Sequence, residues 1–307
     1  GPSDGPGGGQ PGGGRPGGGA DPDVDEEPGG GQPSAAPVSP ARLADLVLPL
    51  RTLLGLAERP GEGHGLGPLD PDLCRELAIA ATDSPDSSLC VTVTDPDGVA
   101  IGHGCARAAR RRRFPPPTSH SSRAEPARPV PSDGAAGLPA RLNLTITAED
   151  LARLVSTTGP PGRTPWGFTR DDDPGPPDGY GSWTVALPNG RNLAVALRTM
   201  PTFACDHRYE SHAYQPNDAL RHLVQVRDGE CTFPPCSRHA RESDFEHATP
   251  YDKGGRTCAC NAGARSRACH QVKQSPGWRV TQPTPGWHHW ETPSGRAYVQ
   301  GPKRYPA

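Results

Sequence analysis

The 307-residue chain is long enough for two domains, yet only 33% of it is hydrophobic and it holds 39 Gly and 40 Pro, so much of its length is not spent on a packed core. A formal charge of −2 excludes a uniformly basic nucleic-acid binder. The most apolar stretch, Leu43 to Ala57, is broken by Asp45, Pro49 and Arg51, which excludes a bilayer-spanning helix and predicts no membrane partner.

The first forty residues carry 14 Gly and 9 Pro, with acidic residues bunched between Asp21 and Glu27. Such a segment cannot bury enough apolar area to offset its chain entropy, and disorder is expected. The chain starts at Gly1 rather than Met, as expected of a fragment of a longer protein. No charged region followed by an apolar stretch marks a secretory leader, so a cytoplasmic protein is expected. Only Lys253, Lys273 and Lys303 among the 32 basic residues are lysines, a bias that fits a GC-rich coding sequence.

Leucines at 43, 46, 50, 53 and 54 predict a helix from Pro40 to Ala57. A second helix follows Asp70, a capping residue, with Pro71 at its first position and Leu73, Leu77 and Ile79 inside. Leu89 to Thr94 alternates and is rich in β-branched residues; Pro96-Asp97-Gly98 turns this strand back into Val99 to Gly102. Arg110 to Gly137 reads as a linker, its arginine run as solvated charge before phosphate contact. A capping box, Thr147-x-x-Asp150, starts a short helix over Ala148 to Val155. After a Gly/Pro/Asp-rich loop from Gly159 to Gly181, Pro188-Asn189-Gly190 joins Trp183 to Leu187 and Leu193 to Leu197 in a hairpin. A helix over Asn217 to Val226 leads into a cysteine-rich segment. The expected class is α+β: a Gly/Pro-rich start, a mixed helical and β-hairpin region over 41–228 with linkers at 107–137 and 159–181, and a separate domain over 229–307.

Five of the nine cysteines fall between Cys231 and Cys269, and in a reducing compartment clustered thiols are metal ligands before disulfides. From Cys231 to the end there are 11 Lys/Arg against 5 Asp/Glu, so the basic end coincides with the cysteines. Cys231 and Cys236 flank Pro234-Pro235, a rigid turn that can present two thiolates to one tetrahedral zinc. Asp244 to Ala248 reads as a strand, Gly254-Gly255 as a flexible loop, and Asn261 as the start of a helix running to about Gln274, before Pro276. On that helix Cys269 and His270 leave about 100° apart. Cys269 can therefore face the Cys231 and Cys236 thiolates while His270 faces the strand. Glu246 and His270 together suit a hard divalent ion such as Mg²⁺ or Mn²⁺. His247 is then free to take a proton from water.

His247, Asn261 and His270 match in order and spacing the three residues that name the HNH nucleases. The chain resembles actinobacterial HNH endonucleases in which the nuclease domain follows a domain of unknown function (type 222). The resemblance covers most of Leu43 to Pro306 and includes Leu48 to Gly61, Gly67 to Ala80, Cys90 to Gly104, Tyr214 to Cys236 and Gly277 to Tyr298. It implies a ββα-metal (His-Me finger) fold with a structural zinc, a DNA substrate, His247 as general base, and Glu246 and His270 as ligands of one catalytic Mg²⁺ or Mn²⁺. It further implies that Asn261 holds the His247 loop in position. The family has Asp where this chain has Glu246, and a zinc cysteine where it has Ser266. Cys258 or Cys260 is then expected to join Cys231, Cys236 and Cys269 on the zinc. On this reading Arg238, Arg241, Arg256, Arg265, Arg267 and Lys273 bind the DNA backbone.

Simpler readings stand beside these. Asn261 is also a good helix N-cap. Cys205, His207 and His212 are candidates for a further metal site, with a structural role preferred for want of a fourth partner. Trp278, Trp287 and Trp290, in an expected β-meander, pack a small core or stack on bases. Cys74, Cys90 and Cys105 read as small buried residues. The same C-terminal fold can also hold zinc and DNA without cutting, as an inactive binding module.

Overall fold

Leu46 and Leu48 alternate along β1 (Ala44–Pro49) and point into the main core, while Val47 faces the other way. In this computed structural model, which describes residues 43–108, 137–156, 164–173 and 175–307, β1 is therefore a strand where a helix was expected. The leucine spacing that suggested one helix runs across two elements, β1 and the short helix α1 (Leu50–Leu53). The Gly/Pro-rich start and nearly all of the Arg110 to Gly137 segment lie outside the described residues.

Downstream, β2 (Gly61–Gly63) and β3 (Gly67–Leu69) form a small hairpin, and α2 (Pro71–Thr82) starts as expected, with the Asp70 carboxylate accepting from the Leu73 N–H at 2.9 Å. Strands β4 (Ser88–Thr94) and β5 (Ala100–Cys105) pair antiparallel, and β6 (Arg107–Ala108) follows. Strand β7 (Ala140–Thr147) precedes α3 (Ala148–Ser156), which is capped by the Thr147 hydroxyl on Asp150 N–H. The region read as loop holds β8 (Gly167–Arg170), which pairs with β9 (Gly179–Ala186) through a stacked Phe168–Trp183 contact. The expected hairpin joins β9 to β10 (Asn192–Thr199).

These strands make one sheet in the order β3-β2-β1-β7-β4-β5-β10-β9-β8, with β6 on β10; β1, β7 and β4 run parallel and the other pairs antiparallel. Both faces of the centre are covered, because successive side chains of a strand point to opposite sides. Leu89, Val91 and Val93 join Leu142, Leu144 and Ile146 in the core beneath α1, α2 and α3. Cys90, Thr92 and Thr94 occupy the opposite side of β4, towards α4 (Asp218–Asp228), whose N-cap is Asn217.

Helix α4 links this sheet to the C-terminal segment. Its last two residues form a buried pair: Arg227 Nε contacts Asp228 Oδ1 at 2.7 Å, and Arg227 also donates to the carbonyls of Ala259 and Ala262, each at 2.7 Å. Beyond it, β11 (Asp244–His247) pairs antiparallel with β12 (Ala262–Arg265), and α5 (Arg267–Gln274) follows directly. The expected helix from Asn261 is thus split into a strand and a shorter helix. Ala262–Arg265 is wholly buried between elements, and Gly263 leaves room that a side chain would not: a Cβ there would stand 2.7 Å from the His288 ring. Three antiparallel strands, β13 (Arg279–Thr284), β14 (Trp287–Glu291) and β15 (Ala297–Gln300), complete the fold as the expected meander. The Lys303–Tyr305 stretch then returns to the central sheet, where Tyr305 N–H donates to Gly98 O at 2.8 Å. The described residues between 43 and 307 belong to one compact unit. Among the described residues no helix is long and apolar enough to cross a membrane.

Candidate functional site

The β11–β12 hairpin and α5 bring the expected catalytic residues together. His247 ends β11 and is buried, its ring between Tyr214, stacked at 5.4 Å, and the edge of Phe245. Its Nε2 lies 2.9 Å from Thr257 Oγ1, and that hydroxyl donates to Tyr214 O at 3.3 Å. The shorter contact anchors the Nε2 edge of the imidazole, and the other ring nitrogen, Nδ1, makes no hydrogen bond among the described residues. Burial holds the His247 pKa below its usual value, and Lys273 and Arg265 add to this against the opposing charge of Glu246.

Asn261 is no helix cap; Ser266 caps α5 instead. The Asn261 amide accepts from Thr249 N–H at 2.7 Å and donates to the carbonyls of Thr249 and Arg256, both at 2.9 Å. It thereby ties together both ends of the loop that follows His247. Glu246 and His270 meet, Oε2 to Nε2, at 3.0 Å, while Asp244 approaches His270 Nδ1 at 3.4 Å. The donors suit a divalent cation in type, a carboxylate beside an imidazole. Glu246 Oε1 is already paired with the Lys273 ammonium at 2.8 Å, so a cation there would share the carboxylate with lysine. His247, Glu246, His270 and Lys273 line an open cleft of about 630 Å³ that extends past Trp278.

Three groups of cysteine and histidine side chains among the described residues can hold a metal ion such as zinc; in each, the ligand atoms lie within 4.8 Å of one another. Cys231, Cys236 and Cys269 form the expected one. Ser266 stands at its open corner, with its hydroxyl 3.7 Å from Cys236 Sγ and its N–H donating to Cys231 Sγ at 3.3 Å. The three thiols fit zinc, and a serine hydroxyl or water is left for the fourth position. Cys258 and Cys260, expected as that fourth ligand, stand elsewhere, with Cys205 and His207. Cys258 Sγ lies 3.4 Å from both Cys205 Sγ and His207 Nδ1, and Cys260 Sγ lies 3.8 Å from His207 Nδ1. His207, at φ 61°, is the one non-glycine residue with positive φ among those described. His212 takes no part in the group. The Cys-x-His and Cys-x-Cys pairs were both visible in the sequence, but nothing in their spacing showed that they face each other. The third group is Cys90, His103, Cys105 and His222; two of its members had read as ordinary small buried residues.

The basic residues expected on DNA differ in exposure and partners. Arg267, Arg256 and Arg238 are exposed and pair at the surface with Asp244, Glu210 and Glu242. Arg241 reaches back to Asp45 on β1 at 3.4 Å, and Lys273 is nearly buried on Glu246. Arg265 cannot reach a phosphate: it is fully buried, its guanidinium 5.1 Å over the Trp290 ring, and burial lowers its pKa to about 10. Trp290 is likewise core, donating to Thr232 O at 2.8 Å, with Trp278 packed against it; Trp287 is partly exposed.

Comparison with known proteins gives no match: no family model, no curated protein and no solved structure corresponds to this chain.

Proposed function

We propose that the C-terminal segment is a metal-dependent DNA endonuclease of the HNH type, with a ββα arrangement in β11, β12 and α5 and a structural zinc on Cys231, Cys236 and Cys269. The observation that carries this reading is the grouping of His247, Glu246 and His270 along one open cleft, with His247 Nε2 anchored 2.9 Å from Thr257 Oγ1 and burial holding the His247 pKa low. A general base needs such a group: unprotonated near neutrality, held in one orientation, and reachable by water.

His247 Nδ1 takes a proton from the attacking water as its oxygen bonds to phosphorus. The bond from phosphorus to the 3′ oxygen breaks, and that oxygen leaves protonated by solvent. Glu246 and His270 would hold Mg²⁺ or Mn²⁺, which when bound stabilises negative charge on the phosphoryl oxygens and the leaving group. Thr257 anchors Nε2 of His247, and Asn261 keeps the loop between Thr249 and Arg256 from shifting the ring. Arg238, Arg256 and Arg267, exposed and held only in surface ion pairs, would exchange those partners for backbone phosphates, which gives affinity with little base preference.

The competing reading is a zinc-stapled DNA-binding module that does not cut, and one observation favours it: the Lys273 ammonium already occupies Glu246 Oε1. Nicking of supercoiled plasmid in Mg²⁺ or Mn²⁺ separates the two. On the nuclease reading His247→Ala lowers nicking on the order of 10²–10⁴-fold while zinc content and DNA affinity stay unchanged. Thr257→Val, which keeps the shape and removes the hydrogen bond, lowers nicking less and leaves zinc unchanged. A His247→Ala variant that nicks as well as the parent, in preparations free of contaminating nuclease, rules the mechanism out.

A further inference from the structure

Cys90 and Cys105 are direct partners in the β4–β5 register, and His103 shares a face of β5 with Cys105 because residues two apart point the same way. His222 projects from α4 onto this spot. Its Nε2 stands 3.0 Å from His103 Nε2, 3.1 Å from Cys105 Sγ and 3.7 Å from Cys90 Sγ, and His103 Nε2 lies 3.5 Å from Cys105 Sγ. Around one tetrahedral zinc, with bonds of about 2.3 Å to sulfur and about 2.0 Å to nitrogen, nitrogen pairs are separated by about 3.3 Å and sulfur–nitrogen pairs by about 3.5 Å. The observed sulfur–nitrogen separations bracket their value, and the one nitrogen–nitrogen separation falls short of its value by about 0.3 Å.

A neighbouring hydrogen-bond chain sets the chemistry of one ligand. Thr92 Oγ1 gives its proton to Asn143 Oδ1 at 2.7 Å, so it accepts from His103 Nδ1 at 3.0 Å. His103 therefore turns the lone pair of Nε2 into the group, towards a second imidazole nitrogen and a thiol. That lone pair is available to a cation held among the four side chains. The partner that fixes the tautomer of one ring nitrogen is also what orients a metal-bound histidine at the other.

We infer that Cys90, His103, Cys105 and His222 form a closed Cys₂His₂ zinc site that clips helix α4 to the central sheet. Both cysteines bind as thiolates, so loading releases two thiol protons to solvent, and the two negative charges cancel those of Zn²⁺. All four positions are filled by protein, which makes the site structural and leaves none for substrate. The inference does not depend on nuclease activity. The ligands come from β4, β5 and α4, separated by as many as 132 positions, so the ion closes a long loop and braces the helix that carries Arg227 and Asp228 to β12.

The test exploits Cys105, which is exposed and would react freely if no metal held it. The full chain is treated with iodoacetamide before and after chelation, alkylated sites are mapped by mass spectrometry, and zinc is counted by elemental analysis. With the site formed, Cys105 is protected at least tenfold until the chelator removes zinc, and His222→Gln loses one zinc equivalent and exposes Cys105. Rapid alkylation of Cys105 in the folded, unchelated chain overturns the inference. So does protection relieved by a reductant and not by a chelator, which would identify a Cys90–Cys105 disulfide. Should His222→Gln fail to fold, the mapping on the unaltered chain decides.

Discussion

His288 is the clearest case of a single side chain whose surroundings set a measurable property. It is fully buried on β14, neither ring nitrogen has a partner, and burial together with Arg265 and Arg227 holds its pKa well below the usual value. A depressed histidine is neutral when folded and takes up a proton on unfolding once the pH falls below about 6.5. Its contribution is therefore full above that pH and lost as pH drops, approaching about 1.4 kcal/mol per unit well below it. Between pH 6.5 and 5.5 the parent should lose about 1 kcal/mol more unfolding free energy than His288→Leu. Equal pH slopes in urea titrations of the two would show that the ring is not sealed. His247 and Asn261 were legible as a pair only through the order and spacing that resemble those of the HNH nucleases. What holds the His247 ring was not, because Thr257 and Tyr214, 43 residues apart in sequence, reach it from separate loops.

Helix α5 shows two demands meeting in one short element. Ser266 caps it, accepting from Cys269 N–H at 3.3 Å, and also stands where a fourth zinc ligand would. Ser266→Cys should exchange a cap worth about 1 kcal/mol for a fourth thiolate. Zinc would then survive a chelator concentration that strips the parent, and the metal-free variant would be the less stable of the two. Identical release curves would mean that position 266 does not face the metal. The Cys231, Cys236 and Cys269 trio could be read from sequence because a rigid Pro-Pro turn and a helix face are local features. The extent of the helix could not: Ala262, Gly263 and Ala264 have the small side chains that a strand needs when Arg227 and His288 press on it.

At the scale of the whole molecule the C-terminal stretch matters most. Lys303 N–H donates to Arg227 O at 2.9 Å, its ammonium meets Glu62 at 2.7 Å, and the buried Tyr305 donates its hydroxyl to Val226 O. One short stretch thus touches β2, the β4–β5 turn and α4. Tyr305→Ala should destabilise the fold by on the order of 3–5 kcal/mol, as for loss of other large buried aromatic side chains. The loss should appear as a shifted midpoint in a single denaturant transition. A shift worth less than about 1 kcal/mol, or a separate early transition of residues 229–307, would show that the returning stretch is not part of a common core.

The sequence by itself determined what depends on neighbours along the chain. Asp70 and Pro71 start α2, Thr147 starts α3, Asn217 starts α4, and the Pro-Asn-Gly turn joins β9 to β10. Caps and turns are short-range hydrogen-bond problems that a few residues solve. Tertiary structure alone decided which cysteines and histidines meet. Cys258 and Cys260 join Cys205 and His207, and Cys90 and Cys105 join His103 and His222, through strand register and helix docking. A strand's register is set by which face it buries, and a shift of one residue would have turned Cys90 and Cys105 away from α4.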